Sequence, residues 1–148
     1  VPRYALQILK TASVWPGIEL TLTANGETVR GRFLMGLASN IRGYAGGLMQ
    51  ASPHARLNDG EIDLWLFEGY GVAQTLRHVW NMWTRQHLTD PQVHRIPFRA
   101  AHLTSPEPLP VQLDGDPHPP TCDLTLEVCP RAVHVLIPAT APKTLLDP

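Results

Sequence analysis

The sequence lacks several features that would assign it to a large class of proteins. No apolar run among its 148 residues approaches the roughly 18 to 20 residues of a membrane-spanning helix. The formal net charge of -1 excludes a surface that holds nucleic acid by bulk positive charge. The amino terminus has no basic flank followed by an apolar core, so no signal peptide is predicted. The hydrophobic share of 43% argues against disorder, and the length suits one domain with a substantial core.

Cysteine is scarce, and its two positions do not suggest a disulfide. Cys122 and Cys129 lie in one short stretch, where seven strand steps of about 3.3 Å would hold their sulfur atoms too far apart to bond. There is no Cys-x-x-Cys pair either. We therefore expect a reducing compartment and predict a cytoplasmic protein.

Familiar catalytic signatures are missing as well. The sequence contains no HExxH, GxSxG, Walker A or GxGxxG motif, and its seven histidines are scattered without metal-ligand spacing. The first residue is Val1 and the first methionine is Met35, which predicts that the chain is part of a longer protein.

What the sequence does have is the alternating pattern of a β protein. Apolar and polar residues alternate on both sides of the turn signal Asn25-Gly26, which predicts a hairpin. One amphipathic helix is predicted over residues 72–87, with a single apolar stripe that suits either the core or a lipid surface. A short helix is predicted over residues 1–13. Fifteen prolines indicate short strands with stiff connections. We predict one domain over residues 1–148, an antiparallel β-sandwich with one long helix and a short N-terminal helix.

Three segments are candidates for chemistry, and each has an ordinary structural explanation. The glycines around Tyr44 would let a backbone approach a phosphate, but glycine is also the default residue of a turn. Asp59 offers a carboxylate to a cation, yet Asn-Asp-Gly is a common turn sequence. Asp116 follows Asp114-Gly115 at a strand end, where it would serve as a general base or simply belong to a hairpin turn.

Taken together, the three segments resemble the C-terminal domain of bacterial diacylglycerol kinases and the related sphingosine-kinase-like lipid kinases. The sequence ASNIRGYAGG, starting at Ala38, resembles the family's Asn followed by a Tyr/Gly-Gly loop. SPHARLNDGEIDL, starting at Ser52, resembles its Asp-Gly segment, and VQLDGD, ending at Asp116, resembles its DGE segment. Their order and spacing agree over nearly the whole chain.

The resemblance implies the substrate-side domain of an ATP-dependent lipid kinase. Asp116 stands where the family has the glutamate that takes the proton from the lipid hydroxyl, so it is one methylene shorter. The family's structural Mg²⁺ or Ca²⁺ would be held by the Asp59 side chain and the carbonyl groups of Arg56 and Glu61. Further residues are expected to line the cleft: Asn40, Gly46, Gly47 and Asp114.

The resemblance also implies a separate N-terminal domain that binds ATP through a Gly-Gly-Asp-Gly loop, which is absent from these residues. The expected partners are the lipid substrate and, transiently, a membrane surface, with no nucleic acid; homodimerisation stays open. Two alternatives remain at this point. One is a domain of an NAD kinase-like enzyme, and the other is a non-catalytic β-sandwich that binds a partner or dimerises.

Overall fold

The structure, a computed structural model, describes residues 10, 13–44, 49–134 and 136. Within them the elements follow the order β1 (Ile18–Ala24), β2 (Glu27–Ser39), β3 (Gly43–Tyr44), β4 (Met49–Gln50), β5 (Ile62–Glu68), α1 (Gly71–Thr84), a 3₁₀ helix (Gln86–Leu88), β6 (Val93–Phe98), β7 (Ala100–Leu113) and β8 (Asp116–Glu127).

Six of these strands form one antiparallel sheet, in the order β6-β5-β2-β1-β7-β8, and β3 pairs with β4 in a small ribbon. The turn at Asn25-Gly26 joins β1 to β2 as predicted, with both turn residues at positive φ. The predicted mainly β, antiparallel class with one long helix is therefore confirmed.

Strand β2 changes partner along its length. Its first half pairs with β1 and its second half with β5, and the pairing register shifts between Phe33 and Met35. Gly31 and Gly36 flank this irregularity, and a Cβ atom at Gly36 would lie only 3.2 Å from Cδ2 of Leu66. A strand that bends at a bulge can serve two sheet layers, and the glycines allow the close approach that the bend needs.

The sheet also curls, because Arg99 alone connects β6 to β7. These strands are four positions apart in the sheet, which would be about 19 Å in a flat sheet, whereas two Cα steps cover at most about 7.6 Å. Asn25 Nδ2 also donates a hydrogen bond of 2.6 Å to the carbonyl oxygen of Pro97. In a flat sheet the two residues would be far apart, because Asn25 lies at the start of β2 and Pro97 lies level with the end of β2. The two halves of the sheet therefore face each other across a core, as in a sandwich.

The main core fills the space between the two halves. It contains ten buried residues: Leu20, Leu22, Ala24, Phe33, Leu64, Leu66, Phe98, Ala101, Leu103 and Leu109. A second cluster lies on the other face of β5 and consists of Ala51, Trp65, Phe67 and Met82. Because α1 covers that outer face, β5 is buried on both sides.

The carboxyl-terminal strands differ from the prediction of several short pieces. Strands β7 and β8 are long, and they contain the prolines 106, 108, 110, 117, 119 and 120. Pairing between them is irregular from Thr104 to Val111, and β8 is an edge strand, where residues without an N–H donor are tolerated. After β8, residues 128–134 and 136 form no strand.

Helix α1 is shorter than predicted and presents a different face to the core. It ends at Thr84 because Arg85 adopts a left-handed conformation with φ of 63°, and the 3₁₀ helix follows. Of the two places predicted for the apolar stripe, the core is the wrong one, because most of the stripe is exposed while His78, Asn81 and Met82 are buried. Most of the predicted N-terminal helix lies outside the described residues. Its two described residues, Lys10 and Ser13, are helical.

A charged network holds α1 against the sheet. Both carboxylate oxygens of the buried Asp90 accept hydrogen bonds from Arg77, and one also accepts from Asn81 Nδ2 at 2.7 Å. The backbone N–H of Gln92 donates to the other at 3.0 Å. Burial alone would raise the pKa of Asp90, but these donors and the Arg77 charge outweigh it and hold the pKa below its usual range.

Candidate functional site

The first two sequence segments meet at the end of β2. Ser39, the last residue of β2, pairs with Asp63 of β5. Arg42 Nε then donates to the carbonyl oxygen of Ala55 at 3.2 Å, so the loop after β2 lies against the segment that precedes β5. The pairing of β2 with β5 thus brings together residues that are more than ten positions apart in the sequence.

The Asp-Gly segment forms a tight turn that orients its carboxylate. Asp59 Oδ1 accepts a hydrogen bond of 3.0 Å from the backbone N–H of Glu61, which is the geometry of an Asx turn. Gly60 has a φ of +73°, which glycine adopts without strain. The turn leaves Asp59 Oδ2 without a hydrogen bond to another described residue.

The three predicted metal ligands line one small cavity. Its volume is about 30 Å³, and its walls are formed by Ser39, His54, Ala55, Arg56, Asp59, Glu61, Asp63, Arg95 and Pro97. This is room for a cation or for one or two water molecules. Carboxylate and carbonyl oxygens are the donors that Mg²⁺ and Ca²⁺ prefer, and Asp59 and Glu61 are donors of this type, whereas Arg56 and Arg95 bring positive charge to the same walls. Among the described residues, no group of three or more His, Cys, Asp or Glu side chains could hold a metal.

A buried ionic network that the sequence analysis missed lies beside this cavity. Asp63 is buried in β5, accepts hydrogen bonds from Ser52 Oγ and Arg95 Nε, and forms an ion pair of 2.9 Å with Arg95 Nη2. Ser52 is fully buried. The available signal was an acidic residue within the apolar run Ile-Asp-Leu-Trp-Leu-Phe, because a buried carboxylate requires a partner.

Asn40 begins the glycine loop, next to this network. Its side-chain Oδ1 is buried and has no hydrogen-bond partner in the described part of the chain. A buried amide oxygen without a donor is costly, so this atom marks a position where a donor from outside the described residues would be stabilising. The candidates Gly46 and Gly47 lie outside the described residues.

The third segment forms the turn between β7 and β8. Asp114 and Gly115 have φ values of 50° and 100°, which is typical of the two central residues of a type I′ hairpin. Asp116 opens β8 directly opposite Leu113. The predicted hairpin turn is therefore present, with Asp114 in the turn itself and Asp116 in the strand.

Strand pairing determines which way Asp116 faces. Residues directly opposite in an antiparallel pair share a face, and so do alternate residues along one strand. Asp116 therefore shares a face with Leu113, Val111 and Leu109, and the last two pack into the main core. Leu113 is 57% exposed, and Asp116 is exposed beside it. A carboxylate thus lies where the core face of the hairpin opens to its surroundings.

The two candidate carboxylates lie toward opposite ends of β8. Asp116 is its first residue, whereas Gly60, next to Asp59, would place a Cβ atom 3.8 Å from Pro130, three residues after β8 ends. No contact between Asp59 and Asp116 occurs among the described residues. The structure joins the first two segments and leaves the third at a distance along the strand.

Two further sequence predictions can be compared with the structure. Cys122 and Cys129 are both exposed and free, as expected. In the part of the chain that the structure describes, no helix has the length and apolar character needed to cross a membrane.

Comparison with known protein families identifies the family of this chain. Residues 2–137 match the family described as the YegS C-terminal NAD kinase beta sandwich-like domain. The chain belongs to this family. The match covers nearly the whole sequence and confirms the predicted resemblance to the C-terminal domain of diacylglycerol kinase-like lipid kinases. A search of curated proteins found no match.

Solved structures with the same fold come from Bacillus anthracis str. Sterne. A crystal structure of a diacylglycerol kinase has 17% identity and a TM-score of 0.55, and the match covers 84% of this chain and 42% of that one. A second, of a proposed diacylglycerol kinase, has 16% identity and a TM-score of 0.58, with 84% and 41% covered. This chain therefore spans about two fifths of the length of either protein.

Proposed function

We propose that this lipid kinase-family domain is the substrate-side domain of an ATP-dependent kinase that phosphorylates a lipid hydroxyl, with Asp116 as the general base. The position of Asp116 carries the proposal. Its carboxylate lies at the exposed end of the β7–β8 hairpin, on the same face as the apolar Leu113. A lipid substrate needs this combination, because its reacting hydroxyl is attached to an apolar body.

The chemistry assigned to Asp116 is proton transfer. The lipid hydroxyl oxygen forms a bond to the γ-phosphorus of ATP while the bond to the β,γ-bridging oxygen breaks and ADP leaves. The hydroxyl proton passes to the Asp116 carboxylate. Phosphoryl transfer depends mainly on positioning and electrostatic stabilisation, so the base must be held accurately. The type I′ turn directly before it and the pairing with Leu113 fix where Asp116 begins β8. ATP would be bound by the N-terminal domain that the family resemblance implies.

The experiment is a kinase assay on the full-length protein with Asp116→Asn, using Glu107→Gln as the matched control. Glu107 is also an exposed acid of the β7–β8 pair, but it lies within β7, away from the turn. Loss of a general base lowers the rate by about 10²–10⁴-fold, so we expect Asp116→Asn to be nearly inactive and Glu107→Gln to retain most activity. Unchanged lipid phosphorylation by Asp116→Asn would refute the assignment.

A cation beside the Asn40 loop is a second part of the proposal. Asp59, with its open Oδ2, and the carbonyl groups of Arg56 and Glu61 would hold Mg²⁺ or Ca²⁺ at the cavity of about 30 Å³. Its contribution would be to fix this loop beside the cleft, where Asn40 Oδ1 still lacks a partner.

The cation is tested by thermal unfolding with and without MgCl₂ or CaCl₂. A ligand at 100 times its dissociation constant stabilises a protein by about 2.7 kcal/mol. We expect the metal to raise the melting temperature of the unsubstituted chain and of the control Glu107→Gln, an exposed acid outside this cavity. Asp59→Asn should abolish the rise. An equal rise in all three proteins would show that the metal binds elsewhere.

The family description also names NAD kinase, so an NAD kinase-like activity is the second candidate. The two activities differ in the acceptor, and assays of the full-length protein with NAD or with diacylglycerol distinguish them. A non-catalytic binding module would be favoured by two results together. The protein phosphorylates neither acceptor, and its role in the cell is unchanged by Asp116→Asn.

A further inference from the structure

Helix α1 is amphipathic in the reverse of the usual sense. Leu76, Trp80 and Trp83 fall within about 60° of one another around the helix axis. Their exposed fractions are 51%, 56% and 62%. The side chains on the opposite face, His78 and Asn81, are buried. A helix on a globular protein normally buries its apolar stripe and exposes its polar one.

The inverted orientation is held in place by specific polar contacts. His78 Nε2 lies 2.8 Å from the carbonyl oxygen of Glu68, and Asn81 Nδ2 donates to Asp90 at 2.7 Å. Rotation of the helix to bury its apolar stripe would break both contacts and expose the buried side of the Asp90 network. The outward position of the apolar residues is therefore a consequence of how the helix is anchored.

The exposed residues form one continuous surface, which we call the tryptophan face: Leu76, Val79, Trp80 and Trp83. The Trp80 and Trp83 rings contact each other edge to face, with centroids 5.3 Å apart. Scattered apolar residues are ordinary on a protein surface, whereas a contiguous patch with two tryptophans marks an interaction site.

The charges around the tryptophan face are of one sign. Residues 69–89 contain no aspartate or glutamate, and their arginines are Arg77 and Arg85. The charge of Arg77 is balanced by its ion pair with the buried Asp90, whereas Arg85 is exposed and has no ion-pair partner among the described residues. An anionic partner is complementary to this segment, because it meets the charge of Arg85 and no exposed carboxylate.

We infer that the tryptophan face docks on an anionic lipid–water interface. Tryptophan is favoured at such interfaces because its ring is apolar while its indole N–H remains close to water. Anionic headgroups attract nearby arginine side chains. A second copy of the chain suits the surface less well, since a two-fold contact centred on this face would bring the Arg85 side chains of both copies together. The tryptophan face is separate from the Asp116 hairpin. A role for this face in lipid phosphorylation rests on the proposed function, whereas the inference that it binds an anionic interface does not.

The test is sedimentation of the chain with lipid vesicles. One set contains phosphatidylcholine alone, and the other contains equal parts of phosphatidylcholine and phosphatidylglycerol. The double variant Trp80→Gln/Trp83→Gln removes the centre of the face, and Val133→Gln, at a residue 76% exposed elsewhere, is the matched control. Because the substituted side chains are largely exposed, all variants should fold, which circular dichroism checks.

We expect the unsubstituted chain and Val133→Gln to bind the anionic vesicles, and the double variant to bind at least about tenfold more weakly, which corresponds to ~1.4 kcal/mol. Arg85→Gln should weaken binding to anionic vesicles by about fivefold at low salt and should change binding to phosphatidylcholine little. Tryptophan emission should shift to the blue on binding in the unsubstituted chain and in Val133→Gln, but not in the double variant.

Two results would overturn the inference. One is equal vesicle binding by the double variant and the unsubstituted chain. The other is absence of binding to the anionic vesicles by the unsubstituted chain. If that chain then forms a dimer in solution that dissociates in the double variant, the face belongs to a second copy. Neither result concerns phosphoryl transfer, so a failed Asp116→Asn test and a failed vesicle test are distinguishable.

Discussion

The anchor of helix α1 can be tested by replacing Asp90 with asparagine. Asparagine has nearly the same shape but carries no charge and only one acceptor oxygen. Its NH₂ group would face the side-chain N–H donors of Arg77 and Asn81, which now bond to the carboxylate. The substitution therefore removes the attraction between the carboxylate and Arg77. It also places the NH₂ group of asparagine opposite an existing N–H donor in a buried position.

The magnitude follows from the exposure of each partner. A hydrogen bond to a charged group contributes about 1.5–3 kcal/mol when buried. The Arg77 side chain is 41% exposed, so water replaces part of what its guanidinium loses, and its contribution is discounted. The other donors, the buried Asn81 Nδ2 and the partly buried Gln92 N–H, then set the expected loss at about 2 to 3 kcal/mol.

Urea unfolding followed by circular dichroism measures this loss, with Glu19→Gln as the control. Glu19 also pairs with an arginine, Arg32, at 2.7 Å, but the two side chains are 60% and 44% exposed. Such a surface pair contributes less than about 1 kcal/mol. We expect Asp90→Asn to lower the urea midpoint clearly more than Glu19→Gln does, at an unchanged denaturant slope.

The same prediction has a pH dependence with a definite sign. The folded-state pKa of Asp90 is lowered, so its stabilising effect is present above the unfolded-state pKa of about 3.9 and is lost as pH falls through the folded value. The stability gap between the unsubstituted chain and Asp90→Asn should therefore be constant near neutral pH and should narrow below about pH 4. A difference under about 0.5 kcal/mol at neutral pH, or a gap that does not change in acid, would refute this account of the helix anchor.

Two further predictions concern the core and the backbone, and both use the same urea assay. Leu66→Ala should lower the free energy of unfolding by about 2–5 kcal/mol, because Leu66 is fully buried between the two halves of the sheet. Leu113→Ala, at an exposed leucine, should lower it by less than about 1 kcal/mol. Equal losses would contradict the assignment of the core. Gly17→Ala should destabilise more than Gly26→Ala, although both glycines have positive φ, because a Cβ atom at Gly17 would lie 2.6 Å from the carbonyl oxygen of Gly69 while Gly26 has open space around it. A smaller effect at Gly17 would show that the backbone there relaxes freely.

Several features could be predicted from short-range patterns alone. The hairpin at Asn25-Gly26 needs only a turn sequence that tolerates positive φ, and the β7–β8 turn is recognisable for the same reason. The segment around Asp59 forms an Asx turn from residues two positions apart. Local conformational preference is enough for each of these, so their sequences carry the information.

Features that depend on distant partners were missed or misassigned. The apolar stripe of α1 left the core and a lipid surface open, and the helix packs through His78 and Asn81 because Asp90 and the backbone of Glu68 provide their partners. The prolines of β7 and β8 suggested breaks, yet β8 lies at the edge of the sheet, where the missing N–H donors are not needed. Neither outcome is visible without knowing which elements lie next to each other.

The alternation of apolar and polar residues was sufficient to assign the mainly β class of this chain, and the order of three motifs was sufficient to assign its family. Its tertiary structure decided where the candidate groups lie: the Asp59 turn beside Asn40, Asp116 on the core-facing side of an exposed hairpin, and the tryptophan face turned outward. The physical reason is that turns and strands depend on neighbouring residues in the chain. Burial, pairing and exposure depend on which distant surfaces come into contact.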